Sequence, residues 1–497
     1  MHHARMNQLP SDRPGARLAA AGVAAAFLLA AMPLILTQFE RGRGRFDQIN
    51  YHEPAILRFA EQLPRPDVSD YLSATTPGYH LVLAMIARLV SPSPVVLQSA
   101  GALFTGGLLA LYTLWVARRA GALIGAVLGA SVGVSIYVFS SGVFLLPDNA
   151  AWLGVLGVIL IALRPRFDAA TLIGGGAVLL GLVLTRQSHL WAAGVLWAAA
   201  WLGAEFRGRG GAFGEIAGLF EGFGARARRT VLVGLATVPA FLAVVWFVRL
   251  WGGLTVPIYH DYMQGTNAAT PAIILAQIGV IAVFHAGFWW RSGWRLVRTK
   301  PVLLLGVLAA GLLLAVIPET TYSVEAGRYS GLWNISARAP DLFGRSNSLI
   351  LILAPAGAGA LAAWLNGVGA RERWVLLGTL AGFTVAVSLT LNAWQRYHEP
   401  MLLMLAGVMS ALVVRGEREE FGREEPARRA GVPGVGVLGV ARVVGPCVLA
   451  LVLAGVTAQK FRSEAPVTTP IERQESVHRP LKELWPSRWE RVEGPGR

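Results

Sequence analysis

Apolar residues along this chain fall in long, nearly uncharged runs separated by short polar stretches. That is neither the alternation of a half-buried strand nor the narrow stripe of a soluble amphipathic helix. The runs lie near 18–38, 95–116, 122–143, 150–163, 169–184, 189–204, 231–248, 271–290, 301–317, 348–365, 374–391, 399–414 and 436–457. The first carries no charge over 21 residues, enough to cross a hydrocarbon core of roughly 30 Å. No small-residue cleavage site follows it, so the expectation is a retained anchor. The pattern predicts an all-α, polytopic membrane protein with thirteen transmembrane helices, within a range of 11 to 14. Composition agrees: 54% of the residues are hydrophobic and 15% charged, whereas ordinary soluble domains carry charge on about a quarter of their residues.

An apolar patch at 79–90 is short and follows a proline, and it is read as part of the first outer loop, re-entrant or lying on the membrane surface. With that choice, 24 of the 44 basic residues fall on the cytoplasmic side, 12 in outer loops and 8 in the C-terminal tail, as the positive-inside rule requires. The organisation expected is a cytoplasmic segment 1–17, a transmembrane domain 18–457 with a long extracytoplasmic loop 39–94, and a tail 458–497 whose Trp485 and Trp489 favour the interface. The net charge of +15 comes from basic residues scattered between apolar runs. They form no basic stripe with interleaved aromatics, so nucleic acid is not an expected partner. Arg outnumbers Lys 41 to 3, the mark of a GC-rich coding sequence, and the expected location is a bacterial cytoplasmic membrane. The single Cys447 permits neither a disulfide framework nor a Cys-based metal site within one chain.

On this topology the polar groups collect at the outer face. The first loop holds Asp47, His52, Glu53, Asp70 and His80. Later loops add Asp148, Arg186, Gln187, Glu325, Arg328, Tyr329, Arg338, Arg345, Arg396 and Tyr397. Carboxylates beside a bilayer are costly unless they are solvated, paired or used. A carboxylate takes a proton, the planar arginine fork holds a phosphate through paired charge-assisted bonds, and aromatic rings stack on sugars. Other readings stand beside this one. Asp148-Asn149, after a proline, also suits a helix cap; Thr75-Thr76-Pro77-Gly78 suits a plain turn; His189 and His285 suit packing; and any one arginine suits a lipid headgroup.

Asp47-Gln48-Ile49 with Tyr51-His52, then Asp70 and Thr75-Thr76-Pro77-Gly78-Tyr79, resembles the first lumenal loop of the dolichyl-phosphate-glucose-dependent α-1,2-glucosyltransferase of N-glycan precursor assembly. That loop carries an Asp-Glu-x-x-His element and a later Thr-Thr-x-Pro-Gly element. Arg186-Gln187-Ser188-His189 is similar to that family's Arg-Gln-Thr-Asn stretch, and Gly327-Arg328-Tyr329 and Arg396-Tyr397 to its Asn-Arg-His-Tyr and Arg-Tyr elements. More broadly, an acid after the first span and Pro147-Asp148 resemble the GT-C superfamily of polyprenyl-phosphate-sugar glycosyltransferases. Two departures stand out: Gln48 replaces the family's second acid, and His52 sits one place late.

The resemblance implies inverting transfer of a hexose, glucose by analogy, from a polyprenyl- or dolichyl-phosphate donor in the membrane lipid to a glycan or glycolipid acceptor. Asp47 would be the general base, with His52, Glu53 and Asp148 in support. Arg186, Gln187, Arg328, Tyr329, Arg338, Arg345, Arg396 and Tyr397 would bind the donor, and Asp70 with Thr75, Thr76, Pro77 and Gly78 would form a loop element. No cofactor is expected, and a divalent metal is left open. The rival class is a transporter or flippase for lipid-linked saccharides. It would be expected to show internal repeats, broken helices at corresponding positions and charges near the bilayer midplane.

Overall fold

The computed structural model describes residues 14–164, 168–204, 206, 212–260, 265–319, 322–323, 330–342, 346–392, 394–421 and 435–467. Helix dominates throughout. Among the described residues the only sheet is an antiparallel pair of two-residue strands, Asp341–Leu342 and Ser346–Asn347.

Six helices are long and apolar enough to cross a membrane: Pro14–Leu36, Pro94–Ala120, Phe223–Trp251, Ser348–Asn366, Glu399–Glu420 and Val437–Ser463. Two bent pairs raise the number to eight if each is one span. Ala122–Gly133 and Ile136–Val143 meet at 71°, and Thr270–Phe284 and Ala286–Thr299 at 107°. The protein is therefore an all-α integral membrane protein. The remaining runs of the expected thirteen form shorter or more polar helices. Asp148–Ala162, Ala169–Thr185, Ala192–Leu202 and Pro301–Val316 hold 15, 17, 11 and 16 residues, below the roughly 20 that a perpendicular crossing takes. Ala370–Ser388 opens on Arg371, Glu372 and Arg373.

Hydropathy alone does not distinguish a helix facing lipid from one enclosed by protein. In Glu399–Glu420, 89% of the apolar window is buried, against 11% in Val437–Ser463. The first is therefore the axis of the bundle and the second a peripheral helix with most of its surface outward. Glycine permits the closest helix contact. A Cβ built on Gly357 would lie 1.8 Å from the Leu275 carbonyl oxygen, and one on Gly279 would lie 2.7 Å from that of Leu353. Helices Thr270–Phe284 and Ser348–Asn366 thus meet backbone to backbone, as small residues allow in membranes.

Between the first two long helices, residues 39–94 fold into Arg43–Asp47, a π-helical turn Gln48–His52, Glu53–Gln62 and Gly78–Leu89. The apolar patch is a 12-residue helix, too short to cross. The end of helix Val435–Ser463 returns to the start of this loop. Phe461 stacks on Phe39 at 5.3 Å, the Arg41 guanidinium donates to the Arg462 carbonyl at 2.9 Å, and the Arg43 amide donates to the Glu464 carboxylate at 3.0 Å. The chain after Ser463 therefore leaves on the side that carries Asp47. The tail beyond residue 467 and the segment 1–13 lie outside the described residues.

Candidate functional site

A cavity of about 750 Å³ opens among the pieces that the sequence scatters. Helix Arg43–Asp47 supplies Arg43 and Asp47, and the π turn supplies Asn50, Tyr51 and His52. The start of Asp148–Ala162 supplies Asp148, the short turn Gln187–Trp191 and its neighbour supply Arg186 and Gln187, and residues 394–397 supply Trp394, Arg396 and Tyr397. The π turn matters because its backbone bonds close over five residues, which brings side chains five apart towards one side. Asp47 and His52 both line the cavity.

Each carboxylate is met by guanidinium. Asp47, with a side chain 9% exposed, takes Arg396 Nη1 on Oδ2 at 3.0 Å and Arg43 Nε on Oδ1 at 3.2 Å. Asp148 pairs with Arg186. Tyr397 is flanked by the Arg186 and Arg396 guanidiniums at 4.9 and 5.0 Å from its ring centre, and its hydroxyl accepts from Arg396 Nη2 at 3.0 Å. Three arginines thus face two carboxylates, which leaves this end of the cavity one positive charge in excess. Much of the rest of the lining is apolar: Leu190, Trp191, Val244, Leu254, Ile258 and the end of Ala370–Ser388 through Gly382, Val385 and Ala386.

His52 joins the cavity to the interior. Its Nδ1 lies 2.9 Å from His80 Nε2. Burial lowers the His52 pKa to about 4; Asp47 and Asp148 pull it upward, and Arg396 and Arg186 push it down. The imidazole is neutral at physiological pH.

The other expected residues divide clearly. Thr75 lines the cavity. Gln187 also lines it, but its amide is a clip: Oε1 accepts from the Thr76 amide at 2.9 Å, and Nε2 donates to the carbonyls of Ala74 and Leu254 at 2.9 and 2.7 Å. The Thr76 hydroxyl donates to the Val183 carbonyl at 2.6 Å, and a Cβ on Gly78 would meet the Leu184 carbonyl oxygen at 2.6 Å. Thr76-Pro77-Gly78 therefore docks the loop onto helix Ala169–Thr185 and does not reach the cavity. Glu53 accepts from Gln48 Nε2 at 2.8 Å, and neither residue lines the cavity. Asp70 and Arg338 are exposed and away from it. Arg328, Tyr329 and Arg345 lie outside the described residues. His189 packs against Trp152 at 5.2 Å and His285 against Trp364 at 5.7 Å, the packing roles read for them. Among the described residues, no group of three or more His, Cys, Asp or Glu side chains is placed to hold a metal ion.

Arg43 was not anticipated, although its spacing four residues before Asp47 on a helix is a readable pairing signal. His80 as the partner of His52, and Gly382, Val385 and Ala386 as an apolar wall, carry no such signal. No protein-family model matches the chain, and no curated protein matches it.

Proposed function

We propose that this protein is a membrane glycosyltransferase that moves a hexose from a polyprenyl- or dolichyl-phosphate donor to a lipid-linked or envelope glycan, with inversion. The observation that carries the reading is the make-up of one cavity. A carboxylate-bearing end with an excess of guanidinium meets an apolar wall, which suits a ligand with a phosphate, a hydroxylated group and a lipid chain. The resemblance of the same residues to GT-C enzymes supports it, and the active side would be the extracytoplasmic one.

In this mechanism Asp47 takes the proton of the acceptor hydroxyl, whose oxygen attacks the anomeric carbon. The bond from that carbon to the phosphate oxygen breaks, and the electron pair leaves with the lipid phosphate. The two guanidiniums on Asp47 hold it in place and leave further lone pairs for the hydroxyl. Arg186 and Arg396 are positioned to stabilise the phosphate charge as it develops. The hydroxyl and the phosphate require no nucleotide.

The test is transfer of labelled sugar from polyprenyl-phosphate-glucose to a membrane glycolipid extract by wild type and Asp47→Asn at equal expression. Loss of transfer by a factor of roughly 10²–10⁴, the usual worth of a general base, with folding and donor binding intact, is the expected result. Equal transfer by both would remove Asp47 from the base role. Absence of transfer by wild type, with translocation of a lipid-linked sugar in vesicles, would replace the transferase by the transporter.

A further inference from the structure

The His52–His80 pair has geometry that the proposed mechanism does not use. The ring centres are 5.2 Å apart, the planes differ by 25° and Nδ1 of His52 lies 2.9 Å from Nε2 of His80. This is an edge-to-edge hydrogen bond between nearly coplanar rings, in which one nitrogen must carry the proton and the other accept it. His80 is fully buried among Tyr71 and Tyr79, whose rings meet it edge-on at 6.0 and 5.7 Å. Its other nitrogen, Nδ1, has no partner. With Nδ1 of His52 engaged, Nε2 is the nitrogen left for the cavity that His52 lines.

Two arrangements satisfy the shared bond. If His52 donates, His80 carries its proton on Nδ1, and a fully buried N–H has no acceptor. If His80 donates from Nε2, its Nδ1 is a bare acceptor, and His52 carries its proton on Nε2. Orphaned buried N–H groups are rarer in folded proteins than under-used acceptors.

We infer that His80 is a positioning residue that fixes His52 as the tautomer with Nε2–H facing the cavity, so that His52 is a neutral hydrogen-bond donor to an oxygen of the bound sugar phosphate. The identity of the ligand rests on the glycosyl-transfer reading; the tautomer does not. A neutral donor suits this place. It grips a hydroxyl or phosphate oxygen without pairing with Asp47 or Asp148 as a cation would, so both carboxylates stay with their arginines.

The decisive measurement is the ¹⁵N spectrum of histidine-labelled protein in detergent, with His52→Gln and His80→Gln used to assign the two rings. The expected result is a protonated Nε2 and a bare Nδ1 on His52. A protonated Nδ1 on His52 would overturn the inference whatever the activity of the protein. In transfer assays, His80→Gln retains a donor near the Nε2 position and is expected to retain most of kcat/KM. His80→Glu offers an acceptor, reverses the His52 tautomer and is expected to lose roughly 10- to 100-fold, the worth of a hydrogen bond to a charged ligand. Equal loss in both variants, with both folded, would reduce His80 to a packing residue. Wild-type protein inactive with the lipid donor would defeat the glycosyl-transfer reading and leave the spectrum to decide the tautomer.

Discussion

Gln48→Glu supplies the acid that the glucosyltransferase resemblance expects, and the structure predicts that it harms the protein. Gln48 is fully buried. It accepts from Gln98 Nε2 at 3.0 Å and donates to Glu53 Oε2 at 2.8 Å. A glutamate keeps the first bond and turns the second into a carboxylate facing a carboxylate, where one of the two must take a proton. From a reference pKa of about 4.3, protonation at pH 7.0 spans about 2.7 units and costs at most about 3.7 kcal/mol. Glu53 is partly exposed and solvent relieves part of this, so a loss of about 2–3 kcal/mol is expected. The shared proton raises the folded-state pKa above the unfolded one. The penalty is therefore absent below about pH 4.3 and grows as pH rises, reaching at most about 1.6 kcal/mol at pH 5.5. Thermal unfolding of purified wild type and variant in detergent at pH 5.5 and 7.0 measures it. A variant as stable as wild type at pH 7.0, or equally destabilised at both pH values, would refute the reasoning.

Four further substitutions test the frame and the site. Gly357→Ala puts a Cβ where the Leu275 carbonyl oxygen stands and should lower stability by roughly 1–3 kcal/mol, whereas Gly234→Ala, whose Cβ would meet nothing within 4 Å, should not; detergent melting curves compare them. Arg396→Met removes a partner of nearly buried Asp47 and should weaken binding of a polyprenyl-phosphate analogue by roughly tenfold or more. Arg43→Met, whose side chain is 51% exposed, should change stability by at most about 1 kcal/mol in the same melting assay.

The membrane class was legible because runs of this apolarity have no other solution. The number of crossings was not, and the helices show why. Hydropathy measures what a helix is made of, and Met401 to Val414 would read the same whether lipid or protein enclosed them. In the structure every one of these residues is buried. Breaks were equally hidden: the run 271–290 turns at His285, whose ring bonds the Ile281 carbonyl at 3.0 Å, and nothing in its apolarity signals the turn.

Much of the candidate site was legible as a set of residues and little of it as an arrangement. Asp47, Asp148, Arg186 and Arg396 stood out because charge is scarce in this chain, and the same scarcity makes their pairing compulsory. Their supports are polar groups that fold alone brings together. Arg43 reaches Asp47 from a backbone held by Glu464, more than 400 positions away in sequence. Arg396 follows Gln395, whose backbone N–H donates to the Ser330 hydroxyl oxygen at 2.6 Å and whose side-chain Nε2 donates to Glu399 Oε2 at 2.5 Å. Glu399 in turn accepts from Ser135 at 2.6 Å, at the break between Ala122–Gly133 and Ile136–Val143. The two arms that grip Asp47 thus originate in the last described helix and in the axis of the bundle. A disturbance of either arm would reach the carboxylate by way of Arg43 or Arg396, so the short motifs include Asp47 and Arg396 and leave out Glu464, Ser330 and Ser135, which hold the two arms still.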